Sequence, residues 1–420
     1  MKQRTICKGL TVAVIIFFVS VGITSSIAIE NLGNYYNQSS FSKILYVGGV
    51  GPDNYTTIQD AINNASDGFT IYVYSGTYDE NIVIDRSIIL MGENRDETVI
   101  NGDGNSETVN IDVVIAVDDN DSVIIKGFTI KNDGSQIGII TSTDGHTFMD
   151  NIITMNSQGI YLNDSDYNLV NNNLFYNNSM LGIFIDGKIN NISNNKFYNS
   201  KKGIYNKGYR ENVIINNEIY NNSEQGIYIT WSGKNYILNN YIHDNGEGIS
   251  FYPRNAGDII KNNIIVFNKC GIYFHGNITR YSQYITISHN CINDNIEFGI
   301  KFENSYYNKI ENNEIKRNGI GIYFALTSSN TIKCNEISDS INSELVFLLS
   351  FFDIVTNNNI EKVQQSSHIL AEIHFGFVLA MSNWWGSPRY PLRFYVPDLG
   401  WLLVTPWETK PLDLEVGPEP

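Results

Sequence analysis

A repeat of about 22 residues occupies the middle of the sequence and restricts the possible folds more than any other feature. Its first element is a glycine followed by an aliphatic residue, which recurs at Gly159, Gly182, Gly203, Gly226, Gly248, Gly271, Gly299 and Gly321. Its second element is an asparagine doublet with an isoleucine or phenylalanine nearby, as in "NNEIYN" from Asn216. A fixed period of this length indicates stacked copies of one structural unit.

Each unit contains two or three short runs in which apolar and polar residues alternate, separated by Gly, Asn, Asp and Ser. This period of two is typical of β-strands, and so short a unit leaves no room for a crossover helix. The sequence therefore predicts an all-β fold, a single-stranded parallel β-helix in which equivalent strands lie above one another. Around Asn216 we expect inward-pointing Ile219, Ile227 and Ile229, and outward-pointing Glu218, Tyr220 and Tyr228.

The asparagines have a structural explanation at the corners of such a solenoid. Asparagine tolerates backbone conformations outside the β region, because its amide can hydrogen-bond to the local backbone. Copies stacked at the strand spacing can also pass amide hydrogen bonds along the axis, as asparagine ladders do in cross-β structures. We therefore interpret the asparagines as scaffold rather than as ligands for a substrate.

The two ends of the repeat region differ from its middle. The segment from Thr57 to Ala65 is predicted to be a short amphipathic helix that covers the open edge of the first coil. Predicted strands follow at Thr70 to Tyr74, Ile82 to Ile84, Ser87 to Met91 and Val123 to Ile130. "SNWWGSP" from Ser382 and "WLLVTPW" from Trp401 contain four of the five tryptophans and predict a hydrophobic C-terminal cap.

The N-terminus has the pattern of an export signal. Lys2, Arg4 and Lys8 precede an apolar run from Leu10 to about Ile23, and small residues follow. The alternative is an uncleaved membrane anchor, because the apolar run approaches the length needed to span a bilayer. The predicted organisation is a signal or anchor at 1–29, a linker at 30–45, the β-helix at 46–380 and the C-terminal cap at 381–420.

The composition limits the possible partners. The formal net charge is -16 and the pI is about 4.8. Nucleic acid is not an expected partner, because its phosphates require clustered Lys and Arg. Contact with a membrane is expected only through the N-terminal segment. After removal of the signal three cysteines remain, and an odd number excludes a fully paired disulfide framework as the source of stability.

The entry segment "TIQDAINNASDGFTIYVYSGTYDENIVIDRSIILMGEN", the glycine and asparagine repeats, and "NWWGSP" resemble a known family. They are similar to secreted archaeal right-handed β-helix proteins of the NosD-like periplasmic copper-binding family, within the pectin-lyase-like superfamily. The resemblance covers roughly residues 46 to 410. It implies a right-handed solenoid, whereas the superfamily contains lyases, hydrolases, epimerases and non-enzymatic surface proteins.

The resemblance makes copper and calcium the two metals to consider. Copper is not expected, because the six histidines and six methionines are scattered along the sequence, and Cys270, Cys291 and Cys334 occupy different phases of the repeat. Calcium would be needed if the protein acted as a lyase on uronates. We otherwise expect no cofactor and no metal site.

Four residues are weak candidates for catalysis. Asp144 and His146, in "TDGHT", partly match an epimerase motif, but we favour a turn as the explanation of these residues. Glu314 follows the doublet Asn312–Asn313, and Glu336 occupies the equivalent position one coil later. Their carboxylates could therefore be close enough to act together as in a glycosidase. Lys316 and Arg317 offer the alternative of a solvated charge ladder.

The candidate ligand-binding residues form an aromatic column on the outward phase of the strand that follows each glycine. Its members are Tyr161, Phe184, Tyr205, Tyr228, Tyr273 and Tyr323, with Ser250 and Lys301 as interruptions. A second, shorter column contains Tyr176, Tyr198, Tyr220 and His243. Stacked rings can stabilise neighbouring coils, and an exposed aromatic stripe can also bind the apolar faces of sugar rings. The sequence leaves both interpretations open.

The sequence as a whole predicts an exported β-helix of roughly a dozen coils at the cell surface or outside the cell. The favoured function is non-catalytic, either binding of a polysaccharide or envelope glycan or a structural role in the envelope. The alternatives are a polysaccharide lyase, epimerase or glycoside hydrolase, and a NosD-like maturation factor for a copper enzyme.

Overall fold

The computed structural model describes residues 43–102, 113–118, 122–208, 211–231, 233–276, 281–361, 369–386, 394–396, 400–404, 408 and 410–418. The predicted signal and most of the predicted linker, residues 1–42, lie outside the described residues. The described chain is built from parallel β-strands and one short helix, α1 (Ile58–Asn63). It winds into a right-handed solenoid of about 14 turns, slightly more than the dozen predicted.

Strands in equivalent positions of successive turns pair in parallel and form three ladders. The first ladder contains the longer strands β4 (Ile82–Ile84), β7 (Val113–Val117), β10 (Ile137–Thr141), β13 (Gln158–Asn163), β16 (Leu181–Asp186), β19 (Lys202–Lys207), β22 (Gln225–Thr230), β25 (Glu247–Tyr252), β28 (Cys270–Phe274), β32 (Phe298–Glu303), β36 (Ile320–Ala325), β39 (Ser343–Thr356), β41 (Ile369–Met381), β42 (Phe394–Tyr395) and β43 (Gly400–Val404).

The second and third ladders consist mainly of three-residue strands. The second contains β1 (Ile44–Val47), β2 (Thr70–Val73), β5 (Ile89–Gly92), β8 (Ile124–Lys126), β11 (Thr147–Met149), β14 (Leu169–Asn171), β17 (Asn191–Ser193), β20 (Val213–Ile215), β23 (Tyr236–Leu238), β26 (Ile259–Lys261), β30 (Thr286–Ser288), β34 (Lys309–Glu311) and β37 (Thr331–Lys333). The third contains β3 (Gly76–Asp79), β6 (Thr98–Asn101), β9 (Thr129–Lys131), β12 (Ile152–Thr154), β15 (Leu174–Tyr176), β18 (Lys196–Tyr198), β21 (Glu218–Tyr220), β24 (Tyr241–His243), β27 (Ile264–Val266), β31 (Cys291–Asn293), β35 (Glu314–Lys316), β38 (Glu336–Ser338) and β40 (Asn359–Glu361). A separate pair is formed by β29 (Ser282–Gln283) and β33 (Ser305–Tyr306).

The alternating pattern buries one side of each strand, as the sequence predicts. Ile219, Ile227 and Ile229 are fully buried, whereas Glu218, Tyr220 and Tyr228 are partly exposed. The first ladder also contains an internal stack of phenylalanines that the sequence did not lead us to expect. Its members are Phe251, Phe274, Phe302, Phe324 and Phe347, with neighbouring ring centroids 4.4–5.2 Å apart and planes within 8° of parallel.

The second asparagine of each doublet forms the predicted ladder of hydrogen bonds along the axis. In the doublet Asn216–Asn217, the first residue has φ of 57° and turns the corner, while the second is buried. The side-chain oxygen of Asn217 accepts bonds from the backbone and amide nitrogens of Asn195, at 2.9 and 3.1 Å. Its amide nitrogen donates to the Ile192 carbonyl at 2.8 Å and to the Asn240 side chain at 3.0 Å. The asparagines therefore satisfy buried backbone groups that the corners would otherwise leave unpaired.

The repeated glycines are required by the close approach of successive coils. A Cβ atom on Gly226 would lie 2.7 Å from the carbonyl oxygen of Gly248 in the next coil, and one on Gly159 would lie 2.3 Å from that of Gly182. Any larger residue would push two paired strands apart. This explains why glycine recurs in the strands of the first ladder, although glycine otherwise weakens a strand.

The ends of the solenoid follow the prediction in part. Thr57 caps α1 by accepting a bond from the Asp60 backbone, and Ile58, Ala61 and Ile62 are buried against the first turns. The predicted strand from Val123 to Ile130 is two strands, β8 and β9, because the chain turns a corner at Gly127, where φ is 81°. At the other end Trp384 and Trp385 are buried, whereas Trp401 lies on β43, which continues the first ladder, and is 68% exposed.

The asparagine ladder predicts that the two members of a doublet respond differently to mutation. Asn217→Ala removes four hydrogen bonds and leaves buried donors unpaired, so we expect the free energy of unfolding to fall by about 2–4 kcal/mol. Asn216→Gly is the matched control, because glycine adopts a φ of 57° without strain. Urea unfolding followed by far-UV circular dichroism would measure both. Equal losses in the two variants would contradict this assignment.

Candidate functional site

The predicted aromatic column lies on the outer side of the first ladder. In the strand register Tyr161 is paired with Phe184, Phe184 with Tyr205, and Tyr205 with Tyr228. The column continues through Ser250, Tyr273, Lys301 and Tyr323. We call the outward side chains of β13, β16, β19, β22, β25, β28, β32 and β36 the first-ladder face.

The rings of this column are oriented in two ways. Tyr161 and Phe184 are stacked, with planes 14° apart, and Phe184 is buried beneath its neighbours although it points outward. The ring of Tyr205 is turned 89° relative to that of Phe184, and the ring of Tyr228 is turned 61° relative to that of Tyr205. The Tyr205 hydroxyl accepts a hydrogen bond from the Thr230 hydroxyl on the next coil, at 3.4 Å, and the Lys202 ammonium lies 5.3 Å from the centroid of the Tyr228 ring. Tyr205 and Tyr228 are therefore the two members of the run from Tyr161 to Tyr228 whose rings are not stacked face to face on a neighbour in the column.

A group of polar side chains lies where Ser250 and Lys301 interrupt the column. We call Glu247, Tyr273, His275, Lys301 and Glu303 the polar cluster. His275 Nε2 lies 3.2 Å from Glu247 Oε2, and this contact crosses the column between adjacent strands. The ring centroids of His275 and Tyr273 are 3.5 Å apart. The small side chain at Ser250 leaves space for this crossing.

Lys301 forms the second half of the polar cluster. Its ammonium donates to the Tyr273 hydroxyl at 3.0 Å and lies 2.9 Å from Glu303 Oε1. The Tyr273 hydroxyl in turn donates to Glu303 Oε2 at 2.8 Å. The ammonium also lies 4.3 Å from the centroid of the Tyr273 ring. Tyr273 is therefore covered by His275 and Lys301, and its role in the face is to hold polar groups in place.

The surroundings of Tyr273, Lys301 and Glu247 shift the pKa values of these three side chains. Burial, together with the hydrogen bond to Glu303, raises the pKa of Tyr273 to about 12 despite the nearby Lys301 charge. Burial opposes the charge on Lys301, but the bonds to Tyr273 and Glu303 outweigh it and hold the pKa of Lys301 above its usual value. Burial likewise opposes the charge on Glu247, but the hydrogen bond with His275 contributes to a lowered pKa. Tyr273 is thus neutral, and Lys301 and Glu247 are charged.

The second aromatic column lies on the third ladder and has a different geometry. The rings of Tyr176, Tyr198, Tyr220 and His243 are parallel within 10°, with centroids 4.9–5.3 Å apart. This separation is close to the spacing between strands, so each ring covers the face of the next and only ring edges meet the solvent. This column is suited to stabilising the wall by offset stacking.

Asp144 and His146 are part of a corner rather than an open site. His146 is fully buried and takes the place of an asparagine: its Nδ1 accepts a bond from the Val123 backbone at 3.2 Å, and its Nε2 contacts the Thr143 hydroxyl at 2.9 Å. Asp144 is exposed and accepts a bond from the backbone of Asp166. Burial lowers the pKa of His146 to about 4, so it is neutral in the folded protein.

Glu314 and Glu336 are neighbours on the third ladder, as the repeat phase predicts. Lys316 lies between them, with its ammonium 3.4 Å from a Glu314 oxygen and 2.6 Å from a Glu336 oxygen. The Asn293 amide also donates to Glu314. This arrangement fits the alternative interpretation of the two glutamates as a charge ladder.

Comparisons with known proteins agree with this architecture. Residues 137–280 match the model of the right handed beta helix region, and residues 220–346 match that of the periplasmic copper-binding protein NosD. Both matches lie within residues 137–346, and this part of the chain is similar to NosD-like right-handed β-helix proteins. Among solved structures, the chain resembles the A-module of mannuronan C-5 epimerase AlgE4 from Azotobacter vinelandii, with a TM-score of 0.52 and 16% identity over 81% of this chain and 94% of that chain. XylC in complex with xylose gives a TM-score of 0.48 and 12% identity, covering 83% of this chain and 87% of that one.

A curated relative matches over a short segment. The probable pectinesterase/pectinesterase inhibitor 41 of Arabidopsis thaliana is 39% identical over 82 residues, which is 17% of this chain. The match spans 14% of that relative's length.

The described part of the chain does not bring together residues that fit a copper ion. Within the described ranges, no group of three or more His, Cys, Asp or Glu side chains is placed to hold a metal. His146 is enclosed in a corner, while His243 and His275 lie on different ladders and pair with carboxylates. In the same part of the chain, no helix combines the length and apolar character that crossing a bilayer requires.

The buried state of His146 predicts a pH-dependent loss of stability. Its folded pKa of about 4 lies below the unfolded value of 6.5. The stability from neutral His146 is therefore complete above about pH 6.5 and is lost as the pH falls towards 4, by up to about 1.4 kcal/mol per pH unit. His146→Asn places the usual asparagine in the ladder and should reduce the change in the free energy of unfolding between pH 7 and pH 5. Urea titrations at about pH 7 and pH 5 would measure this change for the wild-type protein and the variant. An identical change in the two proteins would contradict the assignment.

Proposed function

We propose that this protein is an exported β-helix protein that binds a polysaccharide along its first-ladder face, at the cell surface or in the extracellular space. The observation that carries the proposal is the orientation of Tyr205 and Tyr228, whose rings are turned out of the stacked arrangement. A ring that is not stacked face to face on its neighbour can pack against the apolar C–H face of a sugar. This mode of binding requires no cofactor.

The dimensions of the face also support a chain-like ligand. Tyr205 and Tyr323 are separated by five steps along the ladder, which correspond to about 24 Å at the usual strand spacing. Between them the polar cluster provides carboxylates that accept hydrogen bonds and Lys301, His275 and Tyr273 as potential donors. An extended ligand could therefore contact aromatic and polar groups in succession.

The comparisons are compatible with both parts of the proposal. The family is described as periplasmic, which supports export, as does the N-terminal sequence. The solved relative is named for mannuronan, a polysaccharide, and the matched plant protein for pectin ester cleavage. These names support a glycan as the class of ligand.

The proposal predicts that the two tyrosine columns differ in binding. Tyr205→Ala/Tyr228→Ala should weaken binding of the polysaccharide found by a glycan array by at least about tenfold, because two ring contacts are lost. The matched control is Tyr198→Ala/Tyr220→Ala on the third ladder, where the rings cover each other. This control should lose stability but keep its affinity. Binding that survives the first pair, or that is lost only with the second, would contradict the proposal.

A second candidate function, turnover of the bound polysaccharide, is favoured by the polar cluster. It places a tyrosine hydroxyl, a lysine ammonium, an imidazole and two carboxylates next to one another on the proposed binding face. Groups of this kind can transfer protons during bond cleavage or epimerisation.

Turnover would be detected as new reducing ends or unsaturated sugar absorbance after incubation with polysaccharides, with and without Ca²⁺. If it occurs, His275→Ala and Lys301→Met should each reduce the rate by about a hundredfold or more, because each removes a proton-transferring or charged group. His374→Ala, outside the cluster, is the control. Absence of product with every polysaccharide bound would contradict the second candidate and leave binding as the function.

A further inference from the structure

The charged groups on the first-ladder face, at the ends of its strands and on β41, which follows through β39, are arranged in pairs. Among the described residues of this surface, each Lys and His lies within an ion-pair distance of a carboxylate. The pairs are Lys202 with Glu224, Lys207 with Asp186 at 2.8 Å, His275 with Glu247 at 3.2 Å, Lys301 with Glu303 at 2.9 Å and His374 with Glu372 at 3.6 Å. Five carboxylates thus face three lysines and two histidines, and the surface has no excess of positive charge.

The central pair is held firmly. The Lys301 side chain is only 18% exposed, and its ammonium bonds to both Glu303 and the Tyr273 hydroxyl. To bind a carboxylate of a ligand, Lys301 would have to leave Glu303, which would then lose its charge partner in a partly buried position. Separating such a pair is costly, because the remaining charge is left poorly solvated.

The wider protein does not compensate for this lack of free positive charge. The whole chain carries a formal charge of -16, so a polyanion would be repelled at long range. A bridging divalent cation could reverse this repulsion, but the described residues contain no group of three or more His, Cys, Asp or Glu side chains placed to hold one.

We infer that the ligand of the first-ladder face is an uncharged polysaccharide rather than a polyuronate or a sulfated glycan. This inference rests on the proposed binding function and specifies its ligand class. The neutral ligand would be recognised by ring stacking on Tyr205 and Tyr228 and by hydrogen bonds of sugar hydroxyls to the polar cluster. Each ion pair of the cluster offers both an acceptor and a donor, which matches the dual hydrogen-bonding character of a hydroxyl.

The inference can be tested by comparing neutral and acidic polysaccharides under the same conditions. Xylan, mannan and glucan would represent the neutral class, and polygalacturonate and polymannuronate the acidic class, in affinity electrophoresis or calorimetry at low and high salt. We expect binding of at least one neutral polymer that changes by less than about twofold with salt, because no ion pair with the ligand is screened. Binding of the acidic polymers should be at least about tenfold weaker, because the face has no uncompensated positive charge.

The variant Glu303→Gln tests the cause of the discrimination. It releases Lys301 from its carboxylate and keeps a side chain of similar shape, so binding of polygalacturonate should increase about tenfold and become sensitive to salt. Glu361→Gln, on the third ladder, is the control for the change in net charge. A circular dichroism melt would verify that both variants are folded.

The outcomes separate the ligand class from the function itself. Tighter binding of the acidic than of the neutral polymers would overturn the inference while retaining polysaccharide binding on this face. If Glu303→Gln did not bind polygalacturonate more tightly, or if Glu361→Gln gained the same affinity, charge pairing would not be the cause of the discrimination. Either result would also overturn the inference. Failure of every polymer to bind the wild-type protein would refute the proposed function, and the inference with it.

Discussion

The structure depends on hydrogen bonds that run parallel to the solenoid axis through buried asparagines. A coil without a helix must turn sharply between strands, and each turn leaves backbone groups facing the interior. At the corner between the second and third ladders, an unbroken series of asparagines accepts these donors at 2.8–3.0 Å, from Asn151 to Asn383. Related series at the other two corners include Asn222, Asn245 and Asn268, and Asn190, Asn212 and Asn235. Since each amide bonds to the next coil, the corners fix the register of all three ladders.

This internal support separates the scaffold from the surface. Because the isoleucines, phenylalanines and asparagines of the interior hold the coils together, the outward positions can vary without loss of the fold. The third ladder uses them for stacked rings and a charge ladder around Lys316, both of which strengthen the wall. The first ladder instead has turned rings at Tyr205 and Tyr228 and a network of acidic and basic groups next to them. This contrast between two walls of the same solenoid is the basis on which we propose binding at the first ladder and structural stacking at the third.

The fold could be predicted from the sequence because every copy of the repeat has to meet the same physical requirements, so the same pattern of residues recurs many times. Alternation defined the buried isoleucines, and the doublets defined the corners, as Asn216 and Asn217 illustrate. The sequence did not reveal why glycine recurs in each coil. The cause is the short distance between the backbone at Gly226 and a carbonyl oxygen on the next coil, which only the structure shows. His146 was considered a possible catalytic residue because its neighbours in the sequence resemble a motif, whereas its burial follows from its position in a corner.

The polar cluster was missed for a related reason. The aromatic column was visible from the sequence, but Ser250 and Lys301 were regarded only as interruptions. Whether Glu247 meets His275 depends on side chains that cross between two strands over a small residue, and this cannot be read from one unit of the repeat. Two interruptions on either side of Tyr273 are the signal in the sequence that could have indicated a polar site. The orientation of the rings likewise depends on rotamers, so the sequence could not distinguish the two columns.

The central claim is that the ring faces of the first ladder, and not the stacked tyrosines of the third, form the binding surface. The most direct measurement is a crystal structure of residues 31–420 with a neutral oligosaccharide chosen by its affinity in solution. The account predicts sugar rings packed on Tyr205 and Tyr228, with hydroxyls bonded to the polar cluster and the Lys301–Glu303 pair intact. An oligosaccharide located along Tyr176, Tyr198 and Tyr220 with the first-ladder face unoccupied would contradict it.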